Sequence, residues 1–201
     1  MRPKSIEKEE AIRTIALQII AEEGLENLSM QKLAKAANIS PRTIYIKYED
    51  KEDLLIKLFI EEVLGNYESA ALAGFDEKMD FAKGIKKIWL NTFSFFKNNK
   101  PSFALLQYGK SSPLLNKAYQ QNNIEDGDFF APVHNFLKHH IAAGTILKLH
   151  KDVYKALLFS PLHDLINEYF DYAERPKQII TEKVLLECCD AVIKGVLKSN
   201  Q

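Results

Sequence analysis

The feature that most constrains this chain is its helical period. Apolar residues return at spacings of three and four from end to end, and no stretch alternates polarity as a half-buried strand would. Over residues 6–24, Ile12, Ile15, Ala16, Ile19 and Ile20 share one face, and Gly24 suits the C-cap. Ser29 is placed to cap a short helix through Leu33, Ala36 and Ala37. Asn38 can take the left-handed conformation that ends it. A third short helix starts at Ser40 with Pro41 in its first turn, and runs through Thr43, Ile44, Tyr45 and Lys47. From Lys51 to about Leu72 a long helix carries Leu54, Leu55, Leu58, Phe59, Val63 and Leu64.

Longer, more apolar helices are predicted beyond Gly74, over 79–98, 129–143, 153–173 and 177–198. Pro161 should kink the third of these, because it removes a backbone donor and crowds the preceding turn. Residues 110–128, rich in Ser, Asn and Gln, carry the weakest helical signal. The expected fold is all-α. It combines an N-terminal three-helix helix-turn-helix domain over 1–51 with a larger helical domain over 52–201.

Charge at first argues against a nucleic-acid partner, since 27 basic residues face 27 acidic ones. The distribution reverses that. Residues 1–51 hold 9 basic and 8 acidic groups, yet 27–48 contains Lys32, Lys35, Arg42 and Lys47 and no acid. A second helix that enters the major groove needs exposed polar groups near its start. Arg42 has the fork that pairs with guanine edges, and the Thr43 methyl can meet a thymine methyl. Ser40, Thr43, Tyr45 and Lys51, with the helix N-terminus, suit phosphate oxygens, which fix register without reading sequence. Residues 1–8, with Arg2 and Lys4, are either an arm on the DNA or a disordered tail.

The run GLENLSMQKLAKAANISPRTIYIKYEDKEDLL resembles the DNA-binding segment of TetR-family transcriptional repressors. The Gly before a hydrophobic-then-Ser turn, the LAKAA segment, the SPRTIY helix and the KEDLL start of the next helix keep the family's order and spacing. The resemblance covers about the first 60 residues. It implies that Tyr45 and Lys51 clamp phosphates, that Thr43 and Lys47 face the groove, and that Gln31 also reaches the DNA. Asn38 stands where Gly is usual, and Tyr48 where Phe is usual, so its hydroxyl must find a partner or solvent.

The rest is read from composition and from the family's layout. The apolar stripes of 153–173 and 177–198 are wider than one-sided packing needs, which suits a four-helix bundle with a second copy. TetR-like proteins dimerise there, and a two-fold dimer predicts an inverted-repeat operator. The middle helices carry Trp89, Phe93, Phe96, Phe103, Tyr108, Phe129, Phe130 and Phe136, with Asn91, Gln107, His134 and His163 as polar candidates. Each aromatic taken singly reads as core. Taken together, the resemblance implies a pocket for a small, mostly hydrophobic or aromatic effector.

His134, His139, His140, His150 and His163 offer no i, i+4 ligand pair, so no metal is expected, and no cofactor. Cys188 and Cys189 read as small buried apolar groups rather than a redox switch. There is no G-x-S-x-G, P-loop or Gly-rich dinucleotide turn, so no enzyme is expected. No apolar run is long enough to span a membrane, and the chain is expected in the cytoplasm. Two functions fit: a ligand-released repressor, or a DNA-binding architectural or cell-division factor controlled by a protein partner.

Overall fold

The computed structural model describes residues 4–121, 123–125, 128–173 and 175–198. Arg2 lies outside them. The described chain is helical, with one isolated antiparallel bridge between Ile146 and Leu197. Its contacts divide it into two compact units, residues 1–66 with 99–125, and residues 67–98 with 126–201.

In the first unit, α1 (Lys4–Glu23) ends at Gly24, whose φ of 88° is cheap only for glycine. The predicted stripe is the core face: Ile12 and Ala16 are fully buried, Ile19 and Ile20 nearly so, and Ile15 is half-buried. After a 3-10 turn, Leu25–Asn27, come α2 (Met30–Ala36) and α3 (Pro41–Tyr45). The Ser29 hydroxyl accepts the Lys32 N–H at 3.1 Å, and the Ser40 hydroxyl accepts the Thr43 N–H at 3.2 Å. Asn38 makes the turn between them at φ 52°. Asp50 accepts the Asp53 N–H at 2.8 Å to start α4 (Lys51–Phe59). A π-helical run, Ile60–Tyr67, follows α4 in the chain, and α5 (Glu68–Ala71) belongs to the second unit.

The Ser, Asn and Gln-rich stretch is more regular than its composition predicts. It contains the end of α7 (Lys100–Ser111) and all of α8 (Leu114–Gln121). Both helices pack in the first unit, α7 against α1 and α8 against α4. The contact is close at Gly109, where an added Cβ would lie 2.2 Å from the Phe59 ring.

In the second unit, α6 (Phe81–Asn98) is the central rod, with α11 (Ser160–Asp171) and α12 (Glu182–Val196) packed against it. Gly84 admits the Phe136 ring, since a Cβ there would lie 2.6 Å from it. Phe136 belongs to α9 (Ala131–Ala142). The last helix is shorter than expected: 177–180 are not helical, and the Thr181 hydroxyl accepts the Val184 N–H at 3.4 Å to start it.

Before Pro161 the helix changes form. After α10 (Lys151–Tyr154) the helix widens to a π-run, Lys155–Phe159, and regains α geometry with Pro161 in its first turn. The Leu158 carbonyl accepts the Trp89 indole N–H at 2.8 Å, which satisfies both buried groups at the distortion.

Candidate nucleic-acid interface and aromatic core

The DNA candidates are set by what α3 buries. Ile44 is fully inside, and this turns Pro41, Arg42, Tyr45, Ile46 and Lys47 outward. Tyr45 is 53% exposed and Ile46 72%. Thr43 is half-buried, and its hydroxyl lies 2.9 Å from that of Ser40. Gln31 is exposed on the first turn of α2. Lys47 falls just past the helix, which stops earlier than the sequence suggests, yet its N–H still bonds the Ile44 carbonyl at 2.9 Å.

The basic groups differ in what holds them. Lys47 Nζ sits 2.9 Å from Glu9 of α1, and Lys32 pairs with Glu23 at the other end of that helix. Lys51 is half-buried, and its ammonium donates to the Leu25 carbonyl at 2.6 Å. It thereby ties the start of α4 to the turn before α2. Arg42 and Lys35 are exposed. Tyr48 is buried with Lys57 Nζ 5.3 Å from its ring centroid. Burial, reinforced by the charges of Glu9 and Glu61, pushes its phenol up to about 12.

Sequence reasoning passes over Ile46. It stands two places after a core isoleucine and looks like part of the same stripe. The i, i+4 spacing from Arg42 is the signal that sets it on the outward face.

The effector candidates fall in both units. Phe103, Gln107 and Tyr108 lie on α7 in the first. Trp89, Phe93, Phe96, Phe130, His134 and His163 lie in the second. Within that second unit the rings meet one another. Tyr67 lies 4.6 Å from Phe96 and 5.3 Å from Phe130, Phe93 lies 5.3 Å from Tyr169, and Phe81 stacks on Phe136 at 5.6 Å. Trp89 and Phe96 are fully buried. Asn91 donates to the Ala71 and Ala73 carbonyls at 3.0 and 2.9 Å, closing the end of α5.

Phe130 has φ 59°, a left-handed conformation rare for so bulky a side chain. Its N–H is accepted by Glu68 at 2.7 Å. Burial holds that carboxyl above the usual range. His134 lines an open cleft of about 450 Å³ with Asp128, Leu137, Lys138, Leu149 and Tyr154. Cys189 is fully buried, and burial pushes its thiol up to about 12, the opposite of an activated thiolate.

Two family models match the chain. That for bacterial regulatory proteins of the tetR family matches residues 12–58, and that for the tetracyclin repressor-like C-terminal domain matches residues 82–193. The chain belongs to the TetR family. It is a DNA-binding transcriptional regulator with a helix-turn-helix in its first unit. A crystal structure of a TetR-family regulator from Marinobacter aquaeolei superimposes with a TM-score of 0.83 at 23% identity, covering 99% of this chain and all of the other.

An uncharacterized HTH-type transcriptional regulator of Haemophilus influenzae is 32% identical over 113 residues, 56% of this chain and 60% of the relative. A fatty acid metabolism regulator protein of Bacillus subtilis is 39% identical over 62 residues, 31% of this chain and 30% of that protein. The chain thus matches less than two thirds of the length of these relatives. Among the described residues, no helix is long and apolar enough to cross a membrane.

Proposed function

We propose that this TetR-family regulator is a homodimeric repressor, released from an inverted-repeat operator by a small, mostly hydrophobic or aromatic ligand. Residues 1–51 read the DNA, and 52–201 serve the effector and the second copy. The observation that carries the reading is the outward face of α3. Arg42 and Tyr45 project from a 22-residue stretch that has four basic groups and no acid. Ser40, Thr43, Tyr45 and Lys51 hold phosphates, Arg42 and Lys47 enter the groove, and Gln31 reaches it from α2.

Exposed apolar side chains on α10, on the π-run and in the segment before α12 support the dimer. Val153, Leu157 and Ile179 are 40%, 42% and 44% exposed. At Gly195 an added Cβ would meet nothing within 4 Å. Apolar surface left uncovered beside α11 and α12 suits a two-fold four-helix bundle. The effector is assigned to the aromatic set and His134. Because Phe96 and Phe130 pack on Tyr67, and Phe93 on Tyr169, an apolar ligand enters by displacing rings, and its binding selects a different conformer.

Selection of bound fragments from a random DNA pool tests the reading. The expected product is an inverted repeat with half-sites about 34–36 Å apart, one DNA turn. The absence of any enriched sequence overturns it. The ring-filled core equally favours a DNA-binding architectural factor controlled by a protein partner, and many dispersed sites would mark that function. Fatty acids are the first effector probes, given the role named for the Bacillus relative. The expected result is a raised unfolding temperature together with operator release.

A further inference from the structure

Ile46 is the most exposed large apolar side chain among the described residues, at 72%. Single exposed hydrophobics are common on soluble proteins, so exposure alone carries little. Position carries more. Ile46 is the C-cap of α3 with φ −69° and ψ −27°, and its N–H bonds the Arg42 carbonyl at 3.1 Å. The backbone is therefore still helical there. Arg42, Tyr45 and Ile46 stand at i, i+3 and i+4, on one face and opposite fully buried Ile44.

That face is charge-matched to DNA, because 27–48 holds four basic residues and no acidic one. A branched aliphatic side chain has no hydrogen bond to offer a base edge. The partner it fits in the major groove is the C5-methyl of thymine. Four residues of helix advance about 6 Å, close to two base-pair steps of about 3.4 Å. We propose that Ile46 reads a thymine methyl within about two base pairs of the pair addressed by Arg42. This rests on the reading that α3 enters the groove.

The test uses the full chain and the operator enriched from a random pool. Single thymines are replaced by deoxyuridine, which removes the methyl and nothing else. One replacement, near the base pair whose recognition is lost in Arg42→Ala, should weaken wild-type binding about fourfold, the worth of one buried methyl. Ile46→Ser should bind the two duplexes with less than about a twofold difference, whereas Ile46→Val should keep most of the preference. Unchanged unfolding of Ile46→Ser confirms that the fold is intact.

If no thymine position responds, or if Ile46→Ser keeps the wild-type preference, the assignment is wrong while the DNA-binding reading stands. If no operator is enriched and Arg42→Ala binds DNA like wild type, both fall together.

Discussion

The outward face of α3 and the aromatic core around α6 were both marked as binding surfaces by their side chains, and the structure treats them in opposite ways. On α3, burial of Ile44 alone is enough to present Arg42, Tyr45 and Ile46 to solvent. Around α6, the rings of Tyr67, Phe96, Phe81 and Phe136 bury one another, and Trp89 is fully inside. A convex reading surface is made by a few consecutive residues. A ligand pocket is made by the space that distant residues leave unfilled, and aromatic content does not say whether such space exists.

Trp89→Ala is the strongest way to break this contrast. If Trp89 is core, the loss of a buried indole and its bond to Leu158 should cost about 3–5 kcal/mol of stability, read by chemical denaturation. A cost below about 1 kcal/mol, with folding intact, would move Trp89 from core to the lining of a space that tolerates truncation. Arg42→Ala probes the other side. Operator affinity should fall by about 1–3 kcal/mol while the denaturation midpoint stays where it was. A loss of stability with no loss of affinity would make Arg42 a structural residue of the short helix.

What was legible in the sequence follows the same division. The caps at Ser29 and Ser40 and the left-handed Asn38 act over three or four residues, and the structure shows them where local chemistry puts them. The helices of the second half are in the expected order, but their ends moved. The last helix waits for the Thr181 cap because 177–180 offers no Ser, Thr, Asp or Asn to start it earlier, a distinction that apolar period does not register. The π-run before Pro161 was not foreseen, since the indole of a residue 69 positions away satisfies the carbonyl there. Nor could spacing show that α7 and α8 pack in the first unit, so that Phe103, Gln107 and Tyr108 part from Trp89 and Phe96. Such partitions depend on contacts between segments far apart in sequence.

Electrostatics on the reading face offers a finer test. Glu9 holds Lys47 at 2.9 Å in an exposed pair that α1 imposes on the recognition segment. Exposed pairs contribute about 0.2–1 kcal/mol, so Glu9→Gln should change stability little. Freed of its acid, the Lys47 ammonium should offset the negative potential of the groove more fully. Affinity for DNA of any sequence should then rise, and the salt dependence should steepen by about one released counterion. In the Lys47→Ala background the same change should have no such effect. Equal gains in both backgrounds would reduce Glu9 to a general repulsion of DNA.

Tyr48 gives the smallest effect and tests how local the reading head's architecture is. Its phenol sits where the family usually has a phenyl ring, buried beside Glu9 and Glu61, and is pushed up to about 12. An unfolded tyrosine ionises near 10, so between pH 10 and 12 the folded state keeps a proton that the unfolded state releases. The stability linked to that proton is fully present below pH 10 and is lost as pH rises through 12. Tyr48→Phe should match wild type near neutral pH within about 0.5 kcal/mol. Above pH 10 its denaturation midpoint should fall less steeply than that of wild type. If the two profiles stay parallel to pH 12, the ring is wetter than its burial indicates, and the hydroxyl already meets solvent at the base of the reading head.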